Sequence, residues 1–148
     1  MAKNCRFAVA VHIASVLALN GEEPATSEWI AGSVNTNPVV IRRLLSALAK
    51  AGLVRSIRGS AGGSALARRP DQITLLDIAR AVEEDDAPAL HHQPPNPACV
   101  VGRSIQPVLL RVIERAEAAR EAVLATTLLS EVVGQIRAES GNVASCRP

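Results

Sequence analysis

Polar and apolar residues between positions 26 and 67 follow a pattern that predicts two short helices separated by a tight turn. Ser27 begins the first helix behind a hydroxyl residue that can cap it, and Pro38 begins the second where a missing N–H costs nothing. The polar triplet Asn35-Thr36-Asn37 between them favours turn dihedrals. In the second helix apolar residues recur at i, i+3, i+4 and i+7, and the buried face that this predicts consists of Ile41, Leu44, Leu45 and Leu48.

A β-hairpin is predicted directly after the second helix. Gly52 suits the left-handed position that ends a helix, residues 53–58 resemble a strand, residues 59–63 a loop and residues 64–67 a return strand. A short helix, a polar turn, a second helix and a basic hairpin together predict a winged helix-turn-helix. That architecture places the second helix in the major groove of DNA.

The rest of the chain is predicted to be helical. A first helix is expected at about residues 4–19, a short helix capped by Thr74 at 75–84, a long helix at about 104–124 and a last helix at about 127–137. The predicted fold class is mostly α with a small β-hairpin wing, a winged helix-turn-helix domain plus a long dimerisation helix. The predicted divisions are the DNA-binding domain (1–84), a connector or sensor loop (85–103), dimerisation helices (104–138) and a flexible tail (139–148).

Apolar residues of the long helix step by 4, 3, 4, 3 and 4 positions, which is the spacing of a heptad seam. Because charged residues crowd the other faces of this helix, we expect the seam to pair two copies of the chain as a homodimer. The alternative is a helix that lies on its own domain. The seam consists of Ile105, Leu109, Val112, Ala116, Ala119 and Val123.

Five segments of the chain resemble one family of proteins. They are NTNPVVIRRLL, KAGLVRSIRG, GSAGGSALARRP, ITLLDIARAVE and NPACVVGRSIQPVL, and the likeness runs over about residues 6–129. The chain resembles the Rrf-two (BadM-like) family of bacterial transcriptional regulators. This resemblance implies a homodimeric winged-helix protein that binds DNA. The wing departs from the family at Ser64, where an aromatic residue commonly follows the glycine pair.

Composition and charge narrow the possible partners. Phe7 and Trp29 are the only aromatic residues, so the core must be aliphatic, and the base-stacking platforms of single-stranded nucleic-acid binders are not expected. Residues 1–70 hold nine Lys and Arg against three Glu, whereas the remainder holds seven basic and eleven acidic residues. A basic first half suits a phosphate-binding face. The alternative is ordinary solvated charge.

The first residues of the chain and its cysteines indicate the cellular compartment of the protein. Two basic residues before the apolar run of residues 7–19 are similar to a secretory signal, but His12 interrupts the run and no convincing cleavage site follows. We therefore predict a folded first helix. No segment approaches the roughly twenty apolar residues of a membrane span. Three cysteines without regular spacing suit a reducing cytoplasm, so a cytoplasmic protein is expected.

Candidate DNA contacts lie in the second helix, the turn before it and the wing. An arginine side chain can bind guanine O6 and N7 or hold a phosphate, and the pattern does not say which arginine does which. The alternatives are that the arginines lie on a solvated helix face and that the glycines form a plain hairpin turn. For the protein as a whole, the alternative is an adaptor that uses the fold to bind protein. The sequence shows no nucleophile–base set, so an enzyme is not expected. The predicted contacts with double-stranded operator DNA are Ser27, Asn35, Thr36, Asn37, Val39, Arg42, Arg43, Arg58, Gly59, Gly62 and Gly63.

The connector carries one cysteine, Cys99. Some relatives in the family that the chain resembles hold an iron–sulfur cluster with three closely spaced cysteines there, so no cluster is expected here. A metal held by Cys99 with His91 and His92 is the weaker alternative. We predict instead a thiol switch, in which Arg103 favours the Cys99 thiolate and Cys146 resolves its oxidation. The alternative is that Cys99 simply packs at the base of the connector. Cys5 is expected in the core. The expected effector is an oxidant or a small molecule.

Overall fold

The computed structural model describes residues 5–84 and 90–141. Nine elements follow one another in these residues, and they confirm a mostly helical fold with one antiparallel hairpin. They are α1 (Arg6–Asn20), α2 (Ser27–Val34), α3 (Pro38–Lys50), β1 (Val54–Ile57), β2 (Gly63–Leu66), the 3-10 turn Pro70–Gln72, α4 (Leu75–Val82), α5 (Val100–Thr126) and α6 (Leu129–Glu139).

The helix-turn-helix forms where the pattern predicts it, because polar side chains satisfy the helix ends. The Thr26 hydroxyl accepts a hydrogen bond from the Trp29 backbone N–H (3.2 Å), which caps α2. Asn35 ends α2 in the left-handed conformation (φ 61°), and the side-chain oxygen of Asn37 accepts a hydrogen bond from the Val39 N–H (2.9 Å). Pro38 then occupies the first turn of α3.

The core is aliphatic, as predicted, and α1 lies at its centre. Ile13 and Leu17 of α1 are completely or almost completely buried, and α1 contacts α2, α3, α4, α6 and β2. The four predicted apolar residues of α3 are all buried, so this helix is held in place by its inner face and leaves its outer face to solvent. The folding of α1 into the core agrees with the prediction of a first helix. None of the described helices is long and apolar enough to cross a membrane.

The wing is tied to the start of α2. β1 pairs with β2 from Val54 opposite Leu66 to Ile57 opposite Gly63. Beyond this ladder, Ser64 exchanges two backbone hydrogen bonds with Ala25, of 2.8 and 2.9 Å. Gly63 has a φ of 157°, and a Cβ atom there would lie 2.5 Å from the carbonyl oxygen of Ala25. The close approach of the two backbones therefore requires glycine.

Replacing Gly63 with alanine should destabilise the protein by about 1–3 kcal/mol, because the new methyl group must push the wing away from Ala25. Thermal unfolding followed by circular dichroism measures the change. Gly134→Ala is the matched control: it lies in α6 with no atom within 4 Å of an added Cβ, and it should be neutral or stabilising by up to about 1 kcal/mol. Equal melting temperatures for Gly63→Ala and the wild type would contradict this account of the wing.

The start of α5 and the packing of α6 were not predicted from the sequence. α5 begins at Val100, not near 104, because a turn that starts at Asn96 leads directly into the helix; the predicted connector is shorter, and Pro107 lies inside the helix. α6, which the prediction groups with the dimerisation helices, packs against α1 and buries Leu129 and Val133, and its part in a dimer stays a prediction. The α5–α6 junction is also bound to the start of α4, where the N–H of Leu75 donates to Thr127 and that of Leu129 to Ile73 (both 2.9 Å).

A capping box confirms Thr74 as the residue that caps α4. Its hydroxyl accepts from the N–H of Asp77 (3.0 Å), and the Asp77 carboxylate accepts from the N–H of Thr74 (2.9 Å). α4 ends at Val82, two residues before its predicted end. Arg80 pairs with Glu121 at 3.6 Å, so α4 supports the C-terminal part of α5.

Candidate nucleic-acid interface

The outer face of α3 carries the arginines that the pattern assigns to DNA. Val39, Arg42 and Arg43 are all exposed, because the inner face of the amphipathic helix is occupied by the core. Arg42 forms an ion pair with Glu28, which projects from the first turn of α2. Arg43 lies instead at a cleft of about 470 Å³ between α3 and α4, lined also by Ser46, Lys50 and Arg80. No carboxylate of residues 5–84 or 90–141 pairs with Arg43 or Lys50.

The turn before α3 offers fewer donors than its sequence suggests. The side-chain oxygen of Asn37 is occupied by capping α3, and the backbone N–H of Thr36 donates to Ala31 (3.0 Å). Asn35 is exposed, whereas Thr36 and Ser27 are half-buried. Asn35 and the amide nitrogen of Asn37 therefore remain as the polar groups at this end of the helix.

The wing tip is a tight turn that depends on its glycines. The N–H of Gly62 donates to the carbonyl of Gly59 (3.0 Å), and Gly59 has a φ of 111°. A Cβ atom on Gly62 would lie 2.3 Å from the carbonyl oxygen of Ile57. Arg58 precedes this turn, exposed, and within the described part of the chain no acid pairs with it. The tip thus presents a cation on a compact backbone.

Two carboxylates at this surface were missed by the sequence analysis. Glu28 pairs with Arg42, and Glu22 pairs with Arg55 of the wing at 2.8 Å. The paired residues are 14 and 33 positions apart, so no local spacing signals them. The charge count of the first 70 residues therefore overstates how many cations this surface leaves unmatched.

Cys99 lies exposed at the N-terminal end of α5. The side-chain oxygen of Asn96 accepts from the N–H of Ala98 (2.9 Å), and its carbonyl accepts from the N–H of Cys99 (3.2 Å), so this turn places the thiol at the N-cap position. The backbone N–H groups of Gly102 and Val101 lower the pKa of the Cys99 thiol from its ordinary value. Backbone groups at the helix N-terminus therefore account for the lowered pKa, and a contribution of Arg103 stays a prediction.

The turn and the helix are in close contact. A Cβ atom on Gly102 would lie 2.2 Å from the carbonyl oxygen of Asn96, so the connector rests directly on the first turn of α5. Cys5, which we expected in the core, is exposed at the start of α1. Cys146 lies outside the described residues.

The described residues do not fit a metal centre. His91 and His92 are exposed, and residues 5–84 and 90–141 contain no group of three or more His, Cys, Asp or Glu side chains that could hold an ion. A cluster needs about four thiolate or imidazole ligands, and Cys99 is the one thiol in the described part of the connector.

The predicted seam on α5 lies open in the single chain. Leu109 is 37% exposed and Val112 53%, and no residue of α5 is buried. Val101 and Val108, which the prediction omitted, lie three or four positions from Ile105 and extend the same stripe. The remaining seam positions are half-buried at Ile105 and exposed at Ala116, Ala119 and Val123.

Comparison with known proteins agrees with this architecture. Residues 4–135 match the family described as "Rrf2: Iron-dependent Transcriptional regulator". The HTH-type transcriptional regulator YwnA of Bacillus subtilis is 41% identical over 133 residues, covering 90% of this chain and 98% of YwnA. The fold of this chain is similar to that of CymR (YrzC), the global cysteine regulator of B. subtilis, with a TM-score of 0.68 and 30% sequence identity. The match covers 91% of this chain and 98% of CymR.

A third comparison extends over nearly the whole chain. The structure of T. potens IscR has a TM-score of 0.71 and 27% identity, and the match covers 98% of this chain and 93% of that one. The matched family and the relative YwnA are described as transcriptional regulators, which confirms the predicted class of protein, a regulator and not an enzyme. The chain belongs to the Rrf2 family of transcriptional regulators.

Proposed function

We propose that this protein is a homodimeric, sequence-specific repressor that binds double-stranded operator DNA and releases it when Cys99 is oxidised. One observation carries the proposal: the outer face of α3 presents two neighbouring arginines, Arg42 and Arg43, while the inner face is buried. A rigid helix with basic side chains on its exposed face fits the major groove.

Double-stranded DNA is favoured over other polyanions by the shape of this surface. The wing tip presents Arg58 on a turn of glycines, which lets its backbone approach a sugar–phosphate edge closely. The two aromatic residues, Phe7 and Trp29, are half-buried against the core and offer no stacking platform for single strands.

The exposed stripe of α5 supports a homodimer. Apolar side chains that repeat every three or four positions on an open helix face are those that a second copy of the same helix covers. A two-fold pair would present two α3 helices to half-sites about 34–36 Å apart along the duplex. A dimer that covers such a site over a promoter blocks polymerase, and we therefore propose repression.

Cys99 is proposed as the sensor of an oxidant such as a peroxide. Its thiolate attacks one peroxide oxygen, an S–O bond forms as the O–O bond breaks, and the other oxygen leaves as hydroxide, which yields a sulfenic acid. Condensation with the thiol of Cys146 would release water and form a disulfide. Cys99 itself is exposed, so it is the disulfide rather than the added oxygen that would strain the turn at Asn96, which rests directly on Gly102. The spacing of the two α3 helices would then change.

No iron–sulfur cluster is proposed, although the family is described as iron-dependent. The donor set among the described residues supports a thiol chemistry better than a cluster. The alternative effector is a small molecule that binds at the connector.

Operator affinity measured with and without oxidant tests the proposal. Duplexes selected from a random library by the full-length protein serve as the operator, and fluorescence anisotropy gives the dissociation constant. Reduced wild type should bind the selected duplex with a strong salt dependence, and peroxide should weaken binding reversibly. Cys99→Ser should bind equally well and ignore peroxide. Protein purified without oxygen for this experiment should show no visible absorbance.

The pH dependence of peroxide inactivation is a further expected result. The pKa of the Cys99 thiol is lowered, so its reactive thiolate persists to lower pH than in an ordinary cysteine. The rate of inactivation should therefore rise with pH around a midpoint lower than that of an ordinary cysteine. Tight binding that peroxide leaves unchanged would reject the thiol switch but keep the DNA-binding proposal; failure of the reduced protein to select any duplex would reject both.

A further inference from the structure

The two neighbouring arginines of α3 have different surroundings. The Nη2 atom of Arg42 contacts the Oε1 atom of Glu28, and the side chains are 54% and 63% exposed. Arg43 faces the α3–α4 cleft, whose lining adds the cations Lys50 and Arg80 and no carboxylate. Within one turn of helix, one arginine is thus matched by an acid, and the next lies at a cleft lined by two further cations and no carboxylate.

We propose that Glu28 positions Arg42 to read a base, whereas Arg43 holds a phosphate. This inference rests on the proposed insertion of α3 into the major groove. Glu28 is then a specificity-determining residue that touches Arg42 rather than supplying net attraction to DNA. The structure thereby assigns different roles to two arginines that the sequence does not distinguish.

The first physical reason is geometric. A guanidinium group has five N–H donors in a planar fork, and a carboxylate on one edge leaves the remaining donors for guanine O6 and N7. Arg42 reaches Glu28 across the α2–α3 turn, so its long side chain is held in one region before DNA arrives. Less rotamer freedom is then lost when the base contact forms.

The second reason is electrostatic. The negative charge of Glu28 cancels the attraction of Arg42 for a phosphate and opposes close approach of the DNA backbone at any sequence. Where Arg42 finds its base, the contact compensates for this repulsion; elsewhere it does not. The pair therefore raises the difference between specific and non-specific affinity, which is what specificity means.

Arg43 has the opposite character. Lys50 lies about two turns further along the same exposed face of α3, and Arg80 lies on α4, so three cations line the cleft. Arg80 shares its charge with Glu121, which leaves Arg43 and Lys50 as the stronger attraction for an anion. A phosphate bound here releases counterions and carries no sequence information.

The test compares four variants on two duplexes: the one selected by the wild type and a scrambled duplex of equal length. The variants are Glu28→Gln, Arg42→Ala, Arg43→Ala and the double variant Glu28→Gln/Arg42→Ala. Glu131→Gln, at an exposed position of α6, is the control for loss of one negative charge. Dissociation constants are measured by anisotropy over a range of salt, random-library selection is repeated for each arginine variant, and circular dichroism confirms folding.

We expect Glu28→Gln to tighten binding to the scrambled duplex and to lower the ratio of specific to non-specific affinity by about two- to fivefold. Arg42→Ala should lower that ratio at least about fivefold and relax the selected sequence at one base pair in each half-site. Arg43→Ala should weaken both duplexes alike and reduce the salt slope by about one per phosphate contact. In the double variant, Glu28→Gln should have no additional effect on the ratio.

Two results would overturn the inference. One is a Glu28→Gln ratio equal to that of the wild type and the Glu131→Gln control. The other is an effect of Glu28→Gln that persists without Arg42, because a charge acting at long range would behave so. Both results require a wild type that selects and binds its duplex, so they differ from failure of the proposed function, in which the wild type binds no duplex specifically.

Discussion

Replacing Arg42 and Arg43 together with alanine should abolish operator binding while leaving the dimer folded. Each good arginine contact to a base contributes about 1–3 kcal/mol, and each phosphate contact adds counterion release. A dimer loses two contacts of each kind at once, so affinity should fall more than about a hundredfold. Both side chains are exposed, and the Arg42–Glu28 ion pair contributes only about 0–1 kcal/mol at the surface. The melting temperature should therefore change little.

Anisotropy on the selected duplex measures the loss, and sedimentation velocity shows whether the dimer remains. The control is Arg111→Ala with Arg137→Ala, which removes two exposed cations from α5 and α6 and should weaken binding only through long-range charge. An unchanged dissociation constant in Arg42→Ala/Arg43→Ala would show that α3 is not the element in the groove.

Replacing Leu109 with glutamate should convert the protein to monomers. In the proposed dimer, the seam would bury this position beside Val112, and a carboxylate there would lose its water without gaining a partner. Burial of an unpaired charge costs several kcal/mol, and the two-fold axis repeats the cost in the second copy. Operator affinity should fall with dimerisation, because each monomer reads only one half-site.

Leu110→Glu is the matched control. Leu110 is 45% exposed, compared with 37% for Leu109, but it lies one residue further along the helix and about 100° around its axis, off the seam. Sedimentation equilibrium should therefore give monomers for Leu109→Glu and dimers for Leu110→Glu. Dimers in both variants would contradict the seam, and monomers in both would place the interface on a different face of α5.

Local patterns predicted the helix-turn-helix well because its signals are local. Asn37 and Pro38 cap and begin α3 through groups one or two residues away, and the spacing of Ile41, Leu44 and Leu48 defines a buried face whatever covers it. The boundaries of α2 and the cap at Thr74 follow for the same reason.

Longer-range features were predicted less well. The start of α5 at Val100 depends on a turn at Asn96, which the proline-rich sequence of the connector did not indicate. α6 packs against α1, although its apolar pattern fits either a core or an interface. The exposure of Cys5 and the effect of the α5 N-terminus on Cys99 are likewise consequences of where helices begin.

The sequence by itself determined the order of the elements, the inner face of α3, and the family resemblance that the comparisons confirmed, because periodicity and capping act within a few residues. Only the tertiary structure decided the electrostatic environment of the interface. Glu28 meets Arg42 and Glu22 meets Arg55 across distances along the chain that no pattern spans. Charges interact through space, so their pairing is known only once the core has brought the helices together.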